Sequence, residues 1–171
     1  METAVTCQIP TRLIFVKNFS VNHYDNQNFS KLITSVPLDK IDEKLLSAQE
    51  ICLSETSSLE IPTSFHVFEL SYRQNTESII NFLKNHQLEA GNLHDLINLA
   101  KVYPGLFYEF NIVLGLAKRI NLRANQIISQ LPDIKLFPAL VGDSISRNCR
   151  RLHLLSEPDV WPEKFFVLAK K

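Results

Sequence analysis

The chain has 171 residues, of which 45% are hydrophobic and 21% charged, and its 18 basic side chains balance 18 acidic ones. Such a composition excludes a highly charged disordered chain, and 4 glycines without a period exclude a collagen-like repeat. The length suits one domain that buries roughly 70% of its unfolded surface.

Met1 to Cys7 hold no basic stretch followed by an apolar run, which points away from a secretory signal. The most apolar long window, Val102 to Ala117, spans 16 residues and carries Glu109. That is short and costly for a membrane span, so a buried helix is the better reading. Cys7, Cys52 and Cys149 are odd in number and widely spaced, so they give no disulfide framework. Reduced thiols and a cytoplasmic location are expected. Charge is uneven along the chain. Residues 1–85 hold 7 basic and 10 acidic side chains, and residues 86–171 hold 11 and 8. The neutral total argues against a protein that coats nucleic acid without specificity, which needs many phosphate contacts.

Leu13 to Val16 form an apolar run between Arg12 and Lys17, which predicts a strand. Ser20 to Ser30 is polar and reads as a loop. Pro37 opens a predicted helix with Asp39, Asp42 and Glu43 near its positive end. Leu38, Ile41, Leu45, Ala48 and Cys52 share one face of that helix. Ser54 to Ser64 is a connector, and Phe65 to Tyr72 alternates as a second strand. Asn75 or Thr76 caps a helix whose apolar side carries Ile79, Ile80 and Leu83. Asn92 caps another, with Asp95 at its third position, and Tyr103-Pro104 interrupts it. Pro104 to Ile120 reads as an apolar helix, followed by a short helix ending at Pro132. Ile134 to Phe137 is a short strand and Pro138 starts a new turn or helix. Ser144 to Leu155 is helical in pattern. Phe165 to Ala169 is a closing strand whose lysine tail resists edge pairing. The whole reads as a single α/β or α+β domain over residues 1–171. It has a small mixed sheet of about three to four strands packed with five to six helices. Thr76 to Leu131 is alternatively a helical subdomain.

On the predicted helix from Ser144, Arg147, Arg150 and Arg151 share one face. Three guanidiniums in a row suit phosphates, and Lys118, Arg119 and Arg123 extend the patch if the helices lie close. The plainer reading is a solvated charged face. A helix-turn-helix over Leu106 to Leu131 would present Arg123, Asn125 and Gln126, but its turn lacks glycine. Cys149 and His153, four apart, meet on one helix face as a thiolate–imidazole pair, or belong to the core. His23, His66, His86, His94 and His153 make no metal motif, and no nucleotide loop or GxSxG occurs. No cofactor, metal or catalytic residue is therefore expected. Trp161 between Pro158 and Pro162 either anchors an interface or locks a loop, and Tyr108 is the aromatic best placed to join it.

The function expected is a non-catalytic protein-interaction or regulatory module. Its partner is another protein or a copy of itself, met by an apolar patch near Tyr108 and Trp161. The alternatives are nucleic-acid or phosphorylated-ligand binding through the arginine helix, and a small enzyme with a non-local site. No membrane role is expected.

Overall fold

The computed structural model describes residues 12–21, 29–43, 45, 63–117, 120–121, 135–142 and 149–171. In chain order the elements are β1 (Leu13–Val21), α1 (Phe29–Thr34), β2 (Lys40–Ile41), β3 (Thr63–Leu70), α2 (Thr76–Asn85) and β4 (Glu89–Ala90). They continue with α3 (Leu93–Val102), α4 (Leu106–Glu109), β5 (Ile112–Leu114), β6 (Ile120–Asn121), β7 (Lys135–Val141), β8 (Arg151–Ser156) and β9 (Phe166–Lys170). The expected small sheet with five to six helices is overturned. Among the described residues nine strands form one mixed sheet, and four helices accompany it.

The strand order is β1-β3-β9-β5-β7-β8-β2, with β4 beside β9 and β6 beside β7. Pairing is antiparallel except for β5–β9 and β2–β8, which are parallel. The closing strand β9 is therefore central, held by β3 on one side and by β4 and β5 on the other. Its lysine tail does not guard an edge.

Alternation along the strands sends side chains to two apolar layers. One layer joins Phe65, Val67, Leu168, Val113, Leu136, Leu140 and Leu152 to Leu32 of α1, Leu96 and Ile97 of α3 and Phe107 of α4. The other joins Phe68, Leu70, Val167, Leu114, Phe137 and Ala139 to Ile79 and Leu83 of α2 and to Trp161. Two-sided burial explains why the predicted helix from Pro104 to Ile120 fails. Among the described residues of that span only Leu106 to Glu109 are helical, and the chain then enters β5. A strand buried on both faces has no polar side to reveal its period. A helix-turn-helix loses its first helix by the same finding.

Two further helices of the sequence reading are corrected. The helix expected from Pro37 starts later, because Lys40 and Ile41 pair with Arg151 and Leu152; Glu43 and Leu45 are helical, and Ala48 and Cys52 lie outside the described residues. Its apolar residues nonetheless reach the core: Leu45 is buried, and Leu38 and Ile41 pack against it. Arg151 to Leu155, expected as helix, lie in strand β8, with Leu152 and Leu154 buried and their neighbours less so. Cys149 and Arg150, just before it, belong to no helix. Pro138, expected to end a strand, lies inside β7. Its carbonyl accepts from the Gly115 amide, so its nitrogen faces the same way. There β7 changes partner from β6 to β5, and a missing N–H breaks no ladder bond of either.

Both long helices start as the sequence predicts. The Asn75 side chain accepts from the Ser78 amide. Asn92 and Asp95 form a reciprocal capping box with bonds of 2.8 and 3.0 Å. Among the described residues no helix is long and apolar enough to cross a membrane.

Candidate interaction surface

Strand β1 ends the sheet on one side, where it pairs with β3 alone among the described residues. Its register matches Leu13 with Leu70 and Phe15 with Phe68, then slips by one residue before Lys17 meets Val67. Val16 is the extra residue of this β-bulge. Ile14, Phe15 and Val16 are 46%, 54% and 41% exposed. Three consecutive apolar side chains on an end strand are the least expected feature of this surface, because an apolar run normally marks a buried strand.

The lateral groups of β1 follow from its neighbour. Leu70 donates its amide to Phe165 and accepts from Lys164, so its backbone faces away from β1. Leu13, opposite Leu70, therefore points its own N–H and C=O outwards, and Phe15 two residues on does the same. At the other end Ser64 accepts from Lys171, so its partner Ser20 also faces outwards. The Ser20 carbonyl is occupied: it accepts from the Tyr103 hydroxyl at 2.9 Å. The rim thus has a capped half near Ser20 and a half at Leu13 to Phe15 where the outward groups coincide with the exposed apolar run.

The two sides of the rim differ. Phe15 lies with His66 and Phe68, its ring 6.0 and 5.8 Å from theirs. Phe68 meets Phe82 edge-on, and Phe82 stacks on His86 at 4.2 Å. On the opposite side Ile14 stands across from Glu69, and Lys17 pairs with Glu109 while lying 5.2 Å from the Phe19 ring centroid. From Arg12 to Val21 the strand carries the cations Arg12 and Lys17 and no acid.

The residues singled out in the sequence are placed elsewhere. Trp161 is 2% exposed. Its ring N–H donates to the Thr76 hydroxyl at 2.9 Å, and its ring lies edge-on to Phe137 at 6.0 Å. Two backbone bonds with Gln74 fix the strand-like contact around it. The indole thus locks the segment after β8 onto the core. Tyr108 is 42% exposed on α4. Arg150 is engaged by Asp39: its Nε and Nη2 donate to the two carboxylate oxygens at 3.2 and 2.9 Å, and its amide donates at 2.8 Å. These hydrogen bonds hold the Asp39 carboxyl below the usual carboxylate range and raise the guanidinium. Arg151 is exposed on β8. Arg147, Lys118, Arg119 and Arg123 lie outside the described residues.

Cys149 and His153 are not brought together as a helix would bring them. Four residues of extended chain span roughly 13 Å. The His153 Nδ1 instead lies 3.5 Å from Asp42, whose carboxylate also accepts from the Leu154 amide. Among the described residues no group of three His, Cys, Asp or Glu side chains converges as a metal site would require.

The rim was not singled out by the sequence, whereas His66 reads as a strand residue on the face opposite Val67, as β3 has it. The signal available was the run itself: four apolar residues fenced by Arg12 and Lys17, so close to charge that full burial of both faces was unfavourable. No family model matches this chain, and neither a curated protein nor a solved structure matches it.

Proposed function

We propose that this chain is a non-catalytic protein-interaction module that receives an extended, acid-bearing segment of another protein along the β1 rim. The observation that carries this reading is the half-exposed run Ile14, Phe15 and Val16 on the end strand of the sheet. An added strand takes main-chain bonds from the outward groups of Leu13 and Phe15 and covers the apolar side chains on either side. Arg12 stands at the open end of the run and favours a partner bearing Asp or Glu, whereas Lys17 at the other end is already paired with Glu109. Arg12 also disfavours a second copy, since a two-fold pairing of β1 with itself brings both Arg12 cations to one seam while each Lys17 is balanced by its Glu109. Anion binding through the arginines is not favoured, because Arg150 is already held by Asp39.

Half of a phenylalanine side chain is about 100 Å² of apolar surface, worth about 2.5 kcal/mol when covered. Selection from a displayed library of random peptides tests the reading, followed by anisotropy titration of the selected peptides. The expected binders alternate apolar with acidic residues, and Phe15→Asp weakens them by about 30-fold or more at unchanged circular dichroism. A library that yields no binder, or binders indifferent to Phe15→Asp, overturns the proposal. Light scattering supplies a further arm: a dimer that Phe15→Asp dissolves would assign the rim to a second copy instead.

A further inference from the structure

We infer that His66 is a proton-sensitive latch in the β1–β3 seam, so that acidification loosens β1 from the sheet. This concerns how β1 is attached and stands whether or not the rim binds a partner.

The imidazole sits on β3, at the position opposite Asn18 of β1 and Ala169 of β9. The rings of Phe15 and Phe68 flank it at 6.0 and 6.5 Å. Its Nε2 is buried and has no hydrogen-bond partner. A neutral imidazole tolerates this when Nε2 is its unprotonated nitrogen, because the cost is then one unmade acceptor bond. The imidazolium does not tolerate it. Both nitrogens become donors, and the buried Nε2–H then has no acceptor.

Among the described residues the elements packed around His66 offer no counter-charge. On this side of the sheet β1 presents Leu13, Phe15, Asn18 and Ser20, of which the Asn18 oxygen already accepts from Ser64. Strand β9 presents Ala169, and Lys171 just beyond it places a positive charge whose field acts on His66. From β4 comes Ala90, paired with Ala169. From α2 come Phe82 and, beyond it, His86, itself a base. Glu69 of β3 and Glu89 of β4 pair with Phe166 and Lys170 on the opposite side. Burial first and Lys171 second depress the affinity of His66 for a proton.

The sign follows from linkage. The unfolded chain protonates His66 near about pH 6.5, and the folded chain only at lower pH. The seam is at full strength above about pH 6.5 and weakens as pH falls through the interval between the two values. Relief comes by admitting water to Nε2. The nearest cover to move is Phe15, which lies on the end strand and is already half exposed.

The test uses the full chain and two readouts. Nuclear magnetic resonance titration of the imidazole nitrogens gives the His66 midpoint. Amide hydrogen exchange, corrected for intrinsic rates, compares β1 with β8 at about pH 7.5 and about pH 5. The expected results are a midpoint below about 6.5 and a loss of β1 protection at least about tenfold larger than that of β8. In His66→Phe the excess loss disappears. A midpoint at or above 6.5, equal losses in β1 and β8, or an undiminished excess in His66→Phe overturns the latch. If His66→Phe does not fold, the wild-type midpoint and the β1-to-β8 comparison decide it alone.

Discussion

Trp161→Ala tests whether the single tryptophan is core or surface. The indole is buried, and it bonds Thr76, lies edge-on to Phe137 and sits 6.4 Å from Phe165. Truncation removes the transfer energy of the ring and leaves a cavity against α2 and β7, a combination that costs about 3–5 kcal/mol. The Thr76 hydroxyl, on a buried residue, also loses its donor. For a domain of this size each kcal/mol lowers Tm by roughly 2–4 °C, so a fall of about 10 °C is expected. Calorimetry and urea unfolding followed by circular dichroism measure it, with the urea slope unchanged if two-state behaviour holds. Trp161→Phe with and without Thr76→Val isolates the hydrogen bond, expected near 1 kcal/mol. Because the chain has 1 tryptophan, its fluorescence reports the same site without mutation. A solvent-like emission in the native protein, or a cost under about 1 kcal/mol for Trp161→Ala, refutes the core assignment.

Two further predictions follow from packing. Asp95 is fully buried, and one of its oxygens receives both the Asn92 amide at 2.8 Å and the Lys170 ammonium at 3.0 Å. Asp95→Ala strands a largely buried cation and costs about 3–5 kcal/mol in urea unfolding; Asp95→Asn, which still caps Asn92, costs less. Equal losses in the two variants would show that the capping bond is immaterial. Gly142 lies where an added Cβ would stand 2.0 Å from the Phe107 carbonyl oxygen. Gly142→Ala must displace α4 or β7 and is expected to lower stability by about 2 kcal/mol or more, so unaltered stability would contradict that approach.

Local signals of the sequence were legible where one face of an element meets water or where a cap is explicit. Asn75 and Asn92 announce their helices, and Phe65 to Leu70 alternates as a strand beneath β1. β5 was illegible for a physical reason: it is covered on both sides, so its apolar run carries neither a period of two nor one of 3.6. β9, equally covered, was legible as a strand from its short apolar run, but its central place in the sheet was not. β8 did carry the period of two, with Leu152 and Leu154 buried between Arg151, His153 and Leu155. Helical spacing of the arginines masked it, since Arg147, Arg150 and Arg151 stand at i, i+3 and i+4, which share one helix face. Of the candidate surface, Tyr108 was legible as exposed. The rim was not, because exposure at a sheet end depends on which strand ends the sheet, and strand order is a property of long-range pairing.

The two ends of this sheet are built differently, and the difference bears on what the rim is for. β2 offers only two residues, pairs in parallel with β8, and is tied down by the bonds from Asp39 to Arg150. A short, pinned end gives another strand little to follow. β1 is nine residues long, which makes it the more hazardous end. Its defences fall in its second part: the bulge at Val16, the cation at Lys17 and the Tyr103 hydroxyl on Ser20. Bulges and lysines are the usual means of discouraging edge pairing. Had the whole edge been selected for closure, the stretch from Leu13 to Phe15 would carry such a device too. It carries instead outward backbone groups and the most exposed phenylalanine of the strand, which limits an incoming segment to a short length and a fixed register. A partly defended edge of that kind favours one short partner strand over open-ended sheet growth.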